Sequence, residues 1–230
     1  MFFIKVGKEK NLKMLQKGIV HFRPLSTFEK DQTKFRGDPL EAKLLLDPNQ
    51  PFLINGVPIP APSQVSYTFD GFDSILSFSA SKLDHKNCHE IDEGIFAPNE
   101  DFVQEMQQFG DYFLILPANA LIDSLERRLR GEKCNYGHKS IRYYNKSNYE
   151  SNTDVFQDQH FGSYNICFVK DEPQYGLQNE WRFIIDDYSN QFPLIDNGGV
   201  NIQTDFSTET PIFETNLLHT MQMSENYLNS

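Results

Sequence analysis

No stretch of this chain is apolar for anything near the roughly 18 residues that a membrane-spanning helix needs, so neither such a helix nor a membrane partner is expected. Cysteine is scarce as well. Cys88, Cys134 and Cys167 are widely spaced and odd in number, which argues against a disulfide framework and against a four-cysteine zinc site. Positive charge is the third shortage: 21 Lys and Arg stand against 32 Asp and Glu, a net charge of −11. That balance disfavours nucleic acid, because sequence-independent binding to phosphate needs a cationic surface. The basic cluster Arg127, Arg128, Arg130, Lys133, His138, Lys139 and Arg142 reads as the solvated face of a helix and its loop. A phosphate-cradling glycine loop, a glycine elbow around a nucleophilic serine, internal repeats and low-complexity tracts are all missing. Met1-Phe2-Phe3-Ile4-Lys5 turns charged too early for a signal peptide, so a cytoplasmic location is expected.

What the chain does have is aromatic: 20 Phe and 10 Tyr within 230 residues, with hydrophobic residues at 39%, enough for a sizeable core. Phe2 to Val6 predicts a first strand, and Leu12 and Leu15 at helical spacing predict a helix from Lys8 to Gln16. Ile19 to Arg23 predicts a second strand, stopped by Pro24, with Ser26 or Thr27 capping a turn around Phe28. The prolines between Asp47 and Pro62 exclude a regular helix there, and Asn55-Gly56 reads as the turn of an exposed hairpin. Further strands are expected at 74–79, 112–116, 140–144, 163–170 and 200–202, with helices at 102–108 and from Ala120 to Arg130. The segment 84–92 reads as a charged loop, 145–159 as a polar excursion, and Asp196-Asn197-Gly198-Gly199 as a turn. Short strands with few helices predict a single α+β domain over residues 1–205, followed by a loosely packed C-terminal tail over 206–230.

The organising stretch is Tyr175-Gly176-Leu177-Gln178-Asn179-Glu180-Trp181-Arg182-Phe183-Ile184-Ile185, which holds the only tryptophan. Strand period places Glu180, Arg182 and Ile184 on one face and Trp181, Phe183 and Ile185 on the other. The plain alternative to a functional site is an ordinary Glu180–Arg182 ion pair at the rim of a sheet, which contributes little. A second candidate is the bend Arg36-Gly37-Asp38-Pro39-Leu40-Glu41, which carries Arg36, Asp38 and Glu41; its plain alternative is a turn held by Asp38 and an Arg36 ion pair. Asp38, Glu41 and Lys43 form only a compressed version of a nuclease triplet. His85-Lys86-Asn87-Cys88-His89-Glu90 contains metal-ligand types, but without convergence from elsewhere no metal is expected.

Taken in chain order, Lys5 or Arg23 on an early strand, Ser77-Phe78-Ser79 on a middle one, and Gln178-Asn179-Glu180 near the end resemble the mono-ADP-ribosyltransferase pattern. The resemblance implies two small, mostly antiparallel sheets around a cleft that takes NAD. It implies that Glu180 is the catalytic acid, that Gln178 positions the acceptor, and that Lys5, Arg23, Ser77, Ser79 and Arg182 are on the cofactor side. Lys5 stands where that family shows His or Arg, and Arg23 lies one strand later. The chemistry is coherent, since cleavage of the nicotinamide bond passes through an oxocarbenium-like state that a carboxylate stabilises.

A resemblance over more of the chain is to bacterial AbiGi-type abortive-infection proteins. It rests on Leu15 to Ser26, on 36–41, on Gly110-Asp111-Tyr112, and on Lys170 through Gln178-Asn179-Glu180-Trp181-Arg182. It implies a role in phage defence or a toxin–antitoxin pair. Two functions are therefore expected: an NAD-using transferase or glycohydrolase with a macromolecular acceptor, or a non-catalytic antitoxin or sensor that covers a protein partner through its acidic surface.

Overall fold

The computed structural model describes residues 1–31, 33, 37–39, 41–46, 52–54, 57–59, 65–68, 71–144, 162–195 and 198–228. The chain begins with strand β1 (Phe2–Gly7), helix α1 (Glu9–Gln16), strand β2 (Ile19–Pro24) and the short helix α2 (Ser26–Lys30). Helix α1 buries Leu12 and Leu15, one turn apart, and carries Glu9 at its positive end. Gly18 then turns into β2 at φ +80, and a Cβ there would lie 2.3 Å from the Phe206 carbonyl oxygen, so only glycine fits. Beyond α2 come β3 (Lys43–Leu46), β4 (Phe52–Ile54), β5 (Val57–Ile59) and β6 (Val65–Thr68), which form two small antiparallel pairs, β3 with β6 and β4 with β5. The expected hairpin is this second pair; its turn residues Asn55 and Gly56 lie outside the described residues.

The spine is β7 (Ile75–Leu83), nine residues that alternate hydroxyl and apolar groups. After it come β8 (Cys88–Asp92), β9 (Ile95–Pro98), α3 (Glu100–Gln107), β10 (Tyr112–Pro117), α4 (Ala118–Leu129), β11 (Asn135–Ser140) and β12 (Arg142–Tyr144). The rest is β13 (Val169–Asp171), α5 (Glu172–Tyr175), β14 (Glu180–Asp186), β15 (Val200–Gln203), β16 (Ile212–Glu214), β17 (Met223–Ser224) and α6 (Glu225–Leu228).

β14 runs antiparallel along the length of β7, from Glu180 opposite Ser81 to Asp186 opposite Ile75. On its other edge β7 has two partners in succession. β1 pairs with its C-terminal part, Ile4 opposite Ser81, while β2 pairs with its N-terminal part, Arg23 opposite Ser77. Between those registers, at Phe78 to Ala80, the two arms part. One arm continues β1–β10–β16 and the other β2–β15, giving an eight-stranded antiparallel sheet that forks at β7. The chain is thus α+β and mostly antiparallel, as expected, with the two arms joined through β7.

Opposite residues on paired strands share a face, so the register sorts the side chains. Trp181, Phe183 and Ile185 join Phe3, Phe22, Phe78 and the apolar stripe of α4 in the main core. The opposite face is covered by Leu25, Ile141, Cys167 and Phe168, with Ile75 and Ile184 beneath them. A third cluster packs Phe102, Val103 and Met106 of α3 against Ile4, Leu83 and the C-terminal Leu218 and Leu228.

Four expectations change. The supposed loop 84–92 contains β8, which pairs with β9 across a turn. The strand expected at 140–144 begins earlier as β11, which pairs with β14 from Asn135 to Ser140. Residues 162–168 coil into a 3-10 turn and only Val169–Asp171 is extended, because Ile166, Cys167 and Phe168 all bury inward. The stretch after Asp205 is no loose tail: Phe206, Leu218, Met223 and Leu228 are buried, and β16 adds to the main sheet. The polar excursion at 145–159 and the turn residues Asp196 and Asn197 lie outside the described residues.

Candidate functional site

The hydroxyl row of β7 faces the charged row of β14. Ser81, Ser79 and Ser77 stand opposite Glu180, Arg182 and Ile184, all on one face. The Glu180 carboxylate is buried and both of its oxygens are engaged. Oε1 accepts hydrogen bonds from Ser79 Oγ at 2.5 Å and from Arg182 Nε at 2.9 Å, while Lys170 Nζ lies 2.7 Å from Oε2. Its backbone N–H donates to the Tyr143 hydroxyl at 2.7 Å. Burial alone would raise the carboxyl pKa. The charges of Arg182 and Lys170, with hydrogen bonds from Lys170 and Ser79, outweigh burial and hold it well below the usual carboxylate range, so Glu180 is an anion.

Arg182 is only 1% exposed and its guanidinium is nearly saturated. Nη1 donates to Glu41 Oε1 and to the Cys167 carbonyl, both at 2.6 Å, and Nη2 donates to Glu41 Oε2 at 3.3 Å. With Nε on Glu180, four of its roughly five N–H groups are taken within the chain itself. Arg182 ties β14 to the segment carrying Glu41. The second sequence candidate therefore merges with the first. Glu41 is fully buried against Arg182, and Tyr175 donates its hydroxyl to the Gly37 carbonyl at 2.6 Å. Asp38 is buried at the start of the same turn, where the Glu41 N–H donates to its carbonyl. Arg36 lies outside the described residues. Lys43 pairs with Glu29, so Asp38, Glu41 and Lys43 do not form a nuclease triplet.

The turn that delivers Gln178 and Glu180 is set by Asn179, which adopts the left-handed conformation at φ +43 that asparagine tolerates well. Its side-chain amide donates to the Lys82 carbonyl and to Asp84 Oδ1. Gln178 is buried and donates to Glu105 of α3 at 3.1 Å.

Where the sheet forks, Lys5 fills the gap: its ammonium donates to the Ser79 carbonyl and sits 4.8 Å from the Phe78 ring centroid. A cleft of about 80 Å³ opens beside it, lined by Lys5, Ser79, Ser81, Met106, Gln178 and Glu180. Residues from the beginning, middle and end of the chain thus converge. This cleft has room for a few waters and is far below the roughly 300 Å³ of a usual ligand site. A larger cavity, about 370 Å³, lies on the far side of the 176–179 turn between α3 and Asn179. Comparison with protein-family models, with curated proteins and with solved structures found no match.

Arg23 and Ser77 lie at the other end of the fork. They are directly opposed in register. The Arg23 guanidinium sits 5.2 Å from the Phe28 ring centroid and forms no ion pair among the described residues. The Ser77 hydroxyl is buried and has no hydrogen-bond partner among the described residues.

Other candidates disperse. Within the basic cluster, Arg127 pairs with Asp205, Arg128 with Glu132 and His138 with Glu126. Among the described residues, no group of three His, Cys, Asp or Glu side chains could hold a metal. Burial, the first cause in each case, pushes the thiols of Cys88 and Cys167 up to about 12 and that of Cys134 up to about 11, the reverse of an activated nucleophile. Sequence reasoning missed Lys170, Tyr143, Tyr175 and Glu105 as members of the site. The available signal was Lys170 directly following the apolar run Ile166 to Val169.

Proposed function

We propose that this chain is an ADP-ribosyltransferase-like protein of the abortive-infection type, which binds NAD along the fork of its sheet and transfers ADP-ribose to a macromolecular acceptor or cleaves the dinucleotide. The observation that carries this reading is the convergence of Lys5, Ser79, Gln178 and Glu180 on one cleft. Glu180 is the anion for the oxocarbenium-like state, already ionised and oriented. Of the two early-strand cations, Arg23 is the phosphate ligand. Its guanidinium lies over the Phe28 ring, and the residue is opposite Ser77, whose buried hydroxyl has no hydrogen-bond partner among the described residues, whereas the Lys5 ammonium already donates to the Ser79 carbonyl. The cleft must widen for a dinucleotide to enter, and the Gln178–Glu105 hydrogen bond is the contact that has to open.

A second reading has its own support. Both Glu180 oxygens are engaged by cations and a hydroxyl inside a small cleft, the arrangement of a non-catalytic binding protein in which the charges hold two layers together. The deciding experiment is release of nicotinamide from NAD by the purified full chain, with Glu180→Gln and Arg23→Ala beside it. The transferase reading expects turnover that Glu180→Gln abolishes and weaker NAD binding in Arg23→Ala, each variant keeping wild-type circular dichroism. Neither turnover nor NAD binding by the wild-type chain would select the binding-protein reading.

A further inference from the structure

Lys170 and Glu180 are ten residues apart in sequence but in contact, and between them the chain makes α5 and the turn that carries Gln178. The ion pair closes the base of this excursion. The same ammonium lies 5.0 Å from the ring centroid of Tyr175, inside the excursion, and the Tyr175 hydroxyl is anchored on Gly37. Lys170 thus touches the two ends of a lever. Its charge meets the carboxylate at the mouth of the fork, and its contact with Tyr175 braces the segment leading to Gln178. Only 6% of its surface is exposed, so water does not substitute for either contact. The carboxylate has two charged anchors, Arg182 on Oε1 from its own strand and Lys170 on Oε2 from the separate β12–β13 pair, with the Ser79 hydroxyl also on Oε1. Arg182 and Ser79 both hold Oε1, and Lys170 is the contact that holds Oε2 and so fixes the plane of the carboxylate.

We infer that Lys170 is a positioning residue for Glu180 and for the Gln178 turn, holding the carboxylate aimed at the cleft without touching substrate itself. A general consequence follows from the charge balance. Glu41 and Glu180 against Arg182 and Lys170 make a neutral quartet, so removing the lysine leaves an excess negative charge in a buried site. Glu180, whose carboxyl Lys170 helps to keep low, then holds its proton to higher pH.

The inference rests on the transferase reading for its kinetic readout but not for its structural one, and the test separates the two. In the full chain, Lys170→Met and Lys170→Arg are compared with wild type by carbon-13 NMR titration of glutamate side-chain carboxyls. The Glu180 signal is identified by its loss in Glu180→Gln. Lys170→Met is expected to move the Glu180 titration up by about one unit or more, with Lys170→Arg restoring it. With NAD as substrate, misplacement of the carboxylate should lower kcat by about 10²-fold with KM nearly unchanged, and Lys170→Arg should recover most of the rate. The acid limb of the kcat profile should move up with the titration. If methionine at this buried position unfolds the chain, Lys170→Gln, which keeps a hydrogen-bond donor without the charge, carries the same expectations. An unmoved Glu180 titration in the folded uncharged variant overturns the inference whatever the activity. Absence of turnover in wild type, with the titration shifted, removes the transferase reading alone.

Discussion

The two faces of β14 are equally buried and chemically opposite. On one, Trp181 stacks on Phe3 with ring centroids 4.5 Å apart and Phe183 meets Phe22 edge-on at 6.1 Å. On the other, one residue out of phase, Glu180 and Arg182 join Glu41 and Lys170 in a row of charges as dry as the aromatic row. The aromatic face accounts for why the sheet holds, through apolar area removed from water. The charged face does not, because desolvating four ions costs at least as much as their attraction returns, and well-packed apolar residues of the same size often serve stability as well or better. Cohesion alone does not call for such a row, and it is this side of the strand that the proposed function draws on.

The comparison breaks most visibly at Arg182. Arg182→Met leaves Glu41 without its cation and Glu180 with Lys170 alone, and should destabilise the protein by about 3–5 kcal/mol. Urea unfolding followed by fluorescence of Trp181, on the opposite face of the same strand, measures it directly. A loss under about 1 kcal/mol would mean that water reaches the row and that it is a surface-like pair after all.

The next effect depends on pH. The folded-state pKa of Glu180 lies below that of the unfolded chain, so its contribution is fully present above the unfolded value, about 4.3, and is lost as pH falls from there toward the folded one. Unfolding midpoints should therefore decline on acidification below about pH 4, and more gently in Glu180→Gln, which has no carboxyl to protonate there. Equal slopes in the two proteins would remove Glu180 from the acid response.

Much of this was legible in the sequence because period-two alternation speaks plainly. Trp181, Phe183 and Ile185 against Glu180 and Arg182 fixed the faces of β14, and Ser77 and Ser79 marked the strand beside it. Helices α1, α3 and α4 followed from their apolar spacing and stops. What escaped were contacts with no local signature. Nothing near Glu41 announces that its partner is 141 residues away on Arg182, and the apolar run before Lys170 hints at burial without naming Glu180 as its partner. The 84–92 segment looked like a loop because its charges face water, yet β8 needs only one inward residue, Cys88, to hold its place beside β9. The fork was hidden for a different reason: two early strands share one edge of β7, and sequence order gives no hint of where the first ends and the second begins.

The smallest effect is also the sharpest comparison. Ile184 and Ile185 are neighbours in sequence and buried on opposite faces, the first under Phe168 and Cys167 and the second in the aromatic core. Removing one methyl from each, Ile184→Val and Ile185→Val, should lose about 0.5–1.5 kcal/mol apiece if both sides are close-packed. Both variants keep every charge, so the pair measures packing alone. Should Ile184→Val fall clearly below Ile185→Val, the layer over the charged row is looser than the core beneath it. That looseness is what a cleft of about 80 Å³ would need if it is to widen around a ligand.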